Sequence, residues 1–163
     1  MDFVFDRVAG GRAIKSLTIV DDATHESVAI VPAHHLSGQQ VVRLLEQIGS
    51  GRGLPKIIRT DNGKEFCGKA MLTWAHERGI ALRLIEPGKP NQNAFIERFN
   101  RSYRTEVLNS WLFTSLDEVR EITHRWIVSY NEERPHNALG NLPPTVFRER
   151  LLAGQNSTSQ LST

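Results

Sequence analysis

Apolar and polar residues alternate through DFVFDRV at the start of the chain. Phe3 and Phe5 fall on one face and Asp2, Val4 and Asp6 on the other, which predicts a strand. A turn at Ala9-Gly10-Gly11 follows, then AIKSLTIVDD and HESVAIVPA, both rich in β-branched residues. Three strands joined by short turns predict an antiparallel meander. From position 37 the period lengthens. Ser37 with Gln40 matches a capping box, and Val41, Val42, Leu44, Leu45 and Ile48 make a helical stripe that GSGRGLP is expected to break. KIIRT reads as a short buried strand ending in an Asp61-Asn62-Gly63 turn. A second helix is expected over 64–78 with Gly79 as its stop. IALRLIEP is a fifth strand, GKPNQN a loop, and 94–108 a third helix. Ser115 and Glu118 cap a fourth, whose stripe is Leu116, Val119, Ile122, Trp126, Ile127 and Tyr130.

That order predicts an α/β fold: a mixed five-stranded sheet, three antiparallel strands and then two parallel ones, with helices on both faces. The final GQNSTSQLST has almost nothing to bury, so 151–163 is expected to be a disordered tail behind one domain over 1–150.

Composition narrows the function only by exclusion. Of 163 residues, 39% are apolar and 23% charged, a globular balance with room for one core. The net charge of +2 permits nucleic acid without arguing for it. Cys67 is the single cysteine, which excludes an intrachain disulfide and a cysteine-rich zinc site and fits a reducing compartment. No apolar run approaches the roughly 20 residues that span a bilayer, so no membrane partner is expected, and MDFVFDRV lacks the features of a signal peptide. The expected location is the cytoplasm.

The chemistry lies in carboxylates. Functional groups in open α/β sheets gather beyond the C-terminal ends of strands. Asp61 stands at such an end, Asp2 on the first strand, and Glu97 on the helix entered from the fifth. If the three converge, their repulsion calls for a divalent cation, and hard oxygen donors favour Mg²⁺, with Mn²⁺ in its place. Each also has an ordinary reading. Asp61 could cap the next helix, Asp2 could be a solvated acid at a chain start, and Glu97 could pair with Arg101 for about 0.2–0.5 kcal/mol. The helix tilts the balance. Ile96, Phe99, Tyr103 and Val107 form an inward stripe, while Glu97, Arg101, Arg104 and Leu108 form another that sets one acid beside two arginines suited to phosphate.

Three strings carry a resemblance. RTDNGKEF (59–66), EPGKPNQNAFIERFNRSYRTEVL (86–108) and YNEERPHNALGNLPPTVF (130–147) resemble the catalytic core of insertion-sequence transposases of the OrfB type, relatives of retroviral integrases with a ribonuclease-H-like fold. That family carries an Asp, Asp, Glu triad with 35 residues between the last two, as between Asp61 and Glu97 here. The resemblance covers about residues 1–150. It assigns Asp61 as the second acid, Glu97 as the third and Asp2 as the first, with Asp6, Asp21 and Asp22 as rivals for the first place. It implies two Mg²⁺ ions on these acids. The reaction implied is cleavage of transposon-end phosphodiesters, then joining of the 3′-hydroxyl to target DNA. Arg101, Arg104, Lys64, Lys89, Gln92 and Asn93 would contact DNA, giving salt-sensitive binding. Transfer at two ends implies a homodimer or larger assembly on DNA, at the nucleoid of a bacterium. The family has a tryptophan just before its first acid and an end-reading region upstream. A chain opening at Met1-Asp2 is therefore read as an excised core. Two rival functions stay open: a nuclease of the same fold that never joins strands, and an inert DNA-binding or assembly module. His136 is read as a packing or hydrogen-bonding residue, His25, His34 and His35 as surface residues near strand ends, and the three tryptophans as core or interface aromatics.

Overall fold

The computed structural model describes residues 1–86 and 94–159, with backbone alone for 155–159. Strands β1 (Asp2–Arg7), β2 (Ala13–Val20) and β3 (Ser27–Ala33) form an antiparallel ladder in that order. Strands β4 (Ile57–Thr60) and β5 (Ala81–Leu84) pair in parallel. The expected mixed set of strands is present, but its backbone ladder comes in two pieces. They meet where the Met1 ammonium donates to the Arg59 carbonyl at 2.7 Å.

Helix α1 (Gly38–Arg52) begins at the anticipated capping box, with Ser37 and Gln40 bonded to each other's backbone. It runs through Gly49 and Gly51, so the expected break at GSGRGLP comes late. Arg52 holds the last turn by ion pairs to Asp21 at 3.1 Å and Glu26 at 2.5 Å, and Gly53, at φ 86°, then ends it. The helix expected over 64–78 is two, α2 (Lys64–Cys67) and α3 (Lys69–Glu77), split at Gly68 in extended backbone. A Cβ at Gly68 would lie 2.8 Å from the Lys64 carbonyl oxygen, too close for any other residue without a shift. Helix α4 (Ala94–Tyr103) leads into a π-helical turn, Arg104–Leu108. Helix α5 (Leu116–Glu132) starts at the expected Ser115 cap. After it, His136 bridges to Leu142 around a short 3₁₀ turn, and α6 (Pro144–Ser159) follows. The far end of α6 thus falls within the segment expected to be a tail, and 160–163 lie outside the described residues.

The strands carry an apolar cluster on each face. Leu17, Val41, Leu45, Ile58, Phe66, Met71 and Trp74 pack α1, α2 and α3 on one side. Val4, Ile14, Ile30, Phe99, Tyr103, Val119 and Tyr130 pack α4 and α5 on the other. β1 feeds both: Phe3 stacks on Phe66 at 4.8 Å, and Val4 enters the second cluster. Asp2, with Val4's parity, therefore faces α4. Trp74 is buried, while Trp111 is half exposed. Among the described residues no helix is long and apolar enough to cross a membrane.

Candidate active site

Asp2 is half-buried at the start of β1, opposite Thr18 of β2. Its Oδ1 accepts from the Phe3 amide at 2.7 Å, and its Oδ2 from the Asn100 side-chain amide at 2.7 Å. Burial pushes its carboxyl above the usual range. The Phe3 hydrogen bond opposes that shift, the negative charge of Asp61 reinforces it, and the Met1 ammonium and Asn100 oppose it. Asp2 and Asp61 are thus close enough to repel. The Met1 ammonium beside them is brought down to about 6 by its own burial, against the pull of Asp2, Asp22 and Asp61.

Asp61 is exposed just beyond β4, its Oδ1 accepting from the Gly63 amide at 3.0 Å. This is an Asx turn; the cap of α2 is Gly63, without a side-chain bond. The turn is tied to the exit of β5, since the Asn62 side chain donates to the Ile85 carbonyl at 2.9 Å and the Ile85 amide to the Thr60 carbonyl at 3.0 Å.

Glu97 lies exposed in the first turn of α4. Ile96, Phe99, Tyr103 and Val107 are buried as the inward stripe expected. Leu108 is buried too, off its expected stripe, because the wider π turn, with Asn109 bonded back to the Arg104 carbonyl, rotates the chain. Asn100, which grips Asp2, stands three residues after Glu97 and so shares its face. Among the described residues, Glu97 has no ion-pair partner and no three His, Cys, Asp or Glu gather closely enough to hold a metal. The donors nevertheless suit a hard divalent ion in kind. Two carboxylates repel each other there, and the third stands on the helix that Asn100 pins to the first.

The proposed DNA contacts divide. Arg101 and Lys64 are exposed, Lys64 directly after the Asp61 turn. Arg104 is half-buried and donates to the Phe5 carbonyl at 2.6 Å, bracing α4 on β1. Lys89, Gln92 and Asn93 lie outside the described residues. Of the rival acids, Asp21 caps the turn through the Ala23 and Thr24 amides and pairs with Arg52, Asp22 pairs with Arg59 at 3.2 Å, and Asp6 binds the Arg7 amide.

Sequence reasoning missed Asn100, whose only signal was its place one turn past Glu97. His25, expected at the surface near a strand end, is half-buried in a left-handed turn at φ 58°, with its ring 4.3 Å from Phe95. His136 packs on Tyr130 at 4.9 Å, in line with its packing role.

A family model described as an integrase core domain matches residues 1–90, and a second model of the same description matches 78–144. The chain is 51% identical over 147 residues to an uncharacterized 39.2 kDa protein of insertion element IS476 from Xanthomonas euvesicatoria, covering 90% of this chain and 42% of that protein. It is 48% identical over 147 residues to an uncharacterized 31.7 kDa protein of insertion element IS407 from Burkholderia multivorans, covering 90% and 53%. The chain spans about half the length of these relatives. Among solved structures, the HTLV-2 integrase catalytic core domain in complex with magnesium matches with a TM-score of 0.71 at 16% identity, over 90% of this chain and 91% of that one. That likeness bears on the fold.

Proposed function

The chain belongs to the integrase core domain family, and from that premise we propose that it is the catalytic core of a DNA transposase. It would cleave phosphodiesters at transposon ends and join the freed 3′-hydroxyl to target DNA. The observation that carries this reading is Asp2: half-buried, repelled by Asp61, and gripped by Asn100 from the helix that bears Glu97.

Asp2, Asp61 and Glu97 are the residues that would hold two Mg²⁺ ions, or Mn²⁺ in their place. Such a pair supplies activation of the attacking oxygen and charge stabilisation of the leaving 3′-oxygen. The chain supplies the rest. Asp2 would act from β1, Asp61 from the Asx turn after β4 and Glu97 from the first turn of α4. Lys64 and Arg101, both exposed, would contact phosphates, as would Lys89, Gln92 and Asn93. Arg104 braces the helix and reaches DNA with what its guanidinium leaves free. Two transposon ends call for a homodimer or larger assembly on DNA, in the cytoplasm at the nucleoid.

The test is an oligonucleotide assay with Mn²⁺, comparing the chain with Glu97→Gln. We expect cleavage and strand joining to fall by about 10³-fold or more while DNA affinity stays similar. Unchanged cleavage would remove Glu97 from the site. Cleavage without any joined product would favour a hydrolytic nuclease of the same fold, and binding without cleavage an inert module.

A further inference from the structure

The motif YNEERPHNALGNLPPTVF has no part in the chemistry above, yet it supplies two members of a ring circuit that closes on α4. Phe95 lies 4.3 Å from His25, His25 lies 6.4 Å from His136, His136 lies 4.9 Å from Tyr130, and Tyr130 lies 5.2 Å from Phe99. Phe95 and Phe99 are one helical turn apart on one face of α4, and they bracket Glu97, which points away from both. The circuit therefore grips the back of the turn whose front carries the third acid.

Each outer member is itself held. His25 sits in a left-handed turn closed by its amide on the Asp21 carbonyl at 2.8 Å, and Asp21 is fixed by Arg52. His136 is fixed by its backbone bridge to Leu142, closed through Gly140 and Asn141, both at positive φ. Burial keeps both imidazoles below their ordinary range, so both rings are neutral near pH 7 and pack as aromatics.

We propose that His25 and His136 act through Phe95 as positioning residues that set the first turn of α4, and with it Glu97, for metal binding. This rests on the reading of Glu97 as a metal ligand. The experiment titrates Mn²⁺ into the whole chain by water-proton relaxation, with thermal unfolding measured in parallel. Phe95→Ala and His136→Ala are expected to weaken Mn²⁺ binding roughly tenfold, as outer residues that orient metal ligands do. Phe95→Tyr and His136→Phe, which keep the rings, are expected to bind as the parent does. Val119→Ala loosens the same core at a residue that is not one of the rings, and Glu97→Gln reports on the ligand itself. The proposal is overturned if Mn²⁺ affinity merely follows Tm through Val119→Ala, or if the ring-keeping variants bind no better than the alanines. It is also overturned if Glu97→Gln weakens binding and Phe95→Ala does not, which leaves the ligand reading standing. If Glu97→Gln changes nothing, the ligand reading falls and takes the proposal with it.

Discussion

Asp2 is held between opposing influences that only its neighbours create. Burial and the charge of Asp61 favour its protonated form, while Asn100 and the Phe3 amide favour the carboxylate. A metal ligand must be ionised, so the Asn100 hydrogen bond is set to widen the pH range in which Asp2 can serve. Asn100→Ala removes that donor and lets the Asp2 pKa rise further. The acid limb of the pH–rate profile for Mn²⁺-dependent cleavage should then move to higher pH, and cleavage at pH 7 should fall roughly 10- to 100-fold. An unmoved limb would show that Asn100 only ties α4 to β1. The sequence offered Asp2 as an acid on the first strand and, by resemblance, as the first of the triad, but could not show Asn100 as its partner, since the two stand 98 positions apart.

Helix α4 is the element on which the site turns. Its inward stripe was legible because burial imposes a 3.6-residue period, and Ile96, Phe99 and Tyr103 obey it. Its span to 108 was legible too, but the widening of Arg104–Leu108 into a π turn was not, since no local pattern marks it. Tyr103 anchors the junction. It is fully buried, and its hydroxyl shares a 2.8 Å hydrogen bond with Thr123 of α5. Tyr103→Phe leaves the Thr123 hydroxyl without that partner and should cost about 1 kcal/mol in urea unfolding, with the metal-dependent steps little changed. The breaks at Gly53 and Gly68 belong to the same lesson. Glycines at 49, 51 and 53 look alike in sequence, but only Gly53 takes the positive φ that stops α1, after Arg52 has reached Asp21 and Glu26.

Across the whole molecule, the two clusters are stitched by polar groups at the chain's turns. The β2–β3 turn takes Arg52 from α1 and, on Glu26, Arg148 from α6 at 3.5 Å. Asn131 of α5 clasps Ser27 on the edge of β3 with two hydrogen bonds, at 2.8 and 2.9 Å. His25 and His136 sit at the same end, both held below their ordinary range by burial, and this gives stability a pH dependence. Their depressed folded-state pKa values mean that the unfolded chain binds protons first as pH falls. Their contribution is therefore complete above the ordinary histidine pKa of about 6.5 and is lost on acidification below it. Tm should decline from about pH 6.5 toward pH 5, before the paired carboxylates titrate, and His136→Phe should flatten that decline. An equal slope in both proteins would place the acid sensitivity elsewhere.

Local pattern determined what local physics can determine. Alternation on β1–β3, the stripes of α1, α4 and α5, the Ser37 and Ser115 caps and the Asp61-Asn62-Gly63 turn all depend on residues within a few positions of one another. The three strings that mark the family, with 35 residues between Asp61 and Glu97, were equally legible. Tertiary structure alone decided which distant groups meet. It set Asn100 on Asp2, spent part of Arg104 on the Phe5 carbonyl, joined the two strand ladders at Met1 and Arg59, and drew His25 against Phe95. Such contacts join residues tens of positions apart, and they form because packing two cores on one set of strands brings those surfaces together.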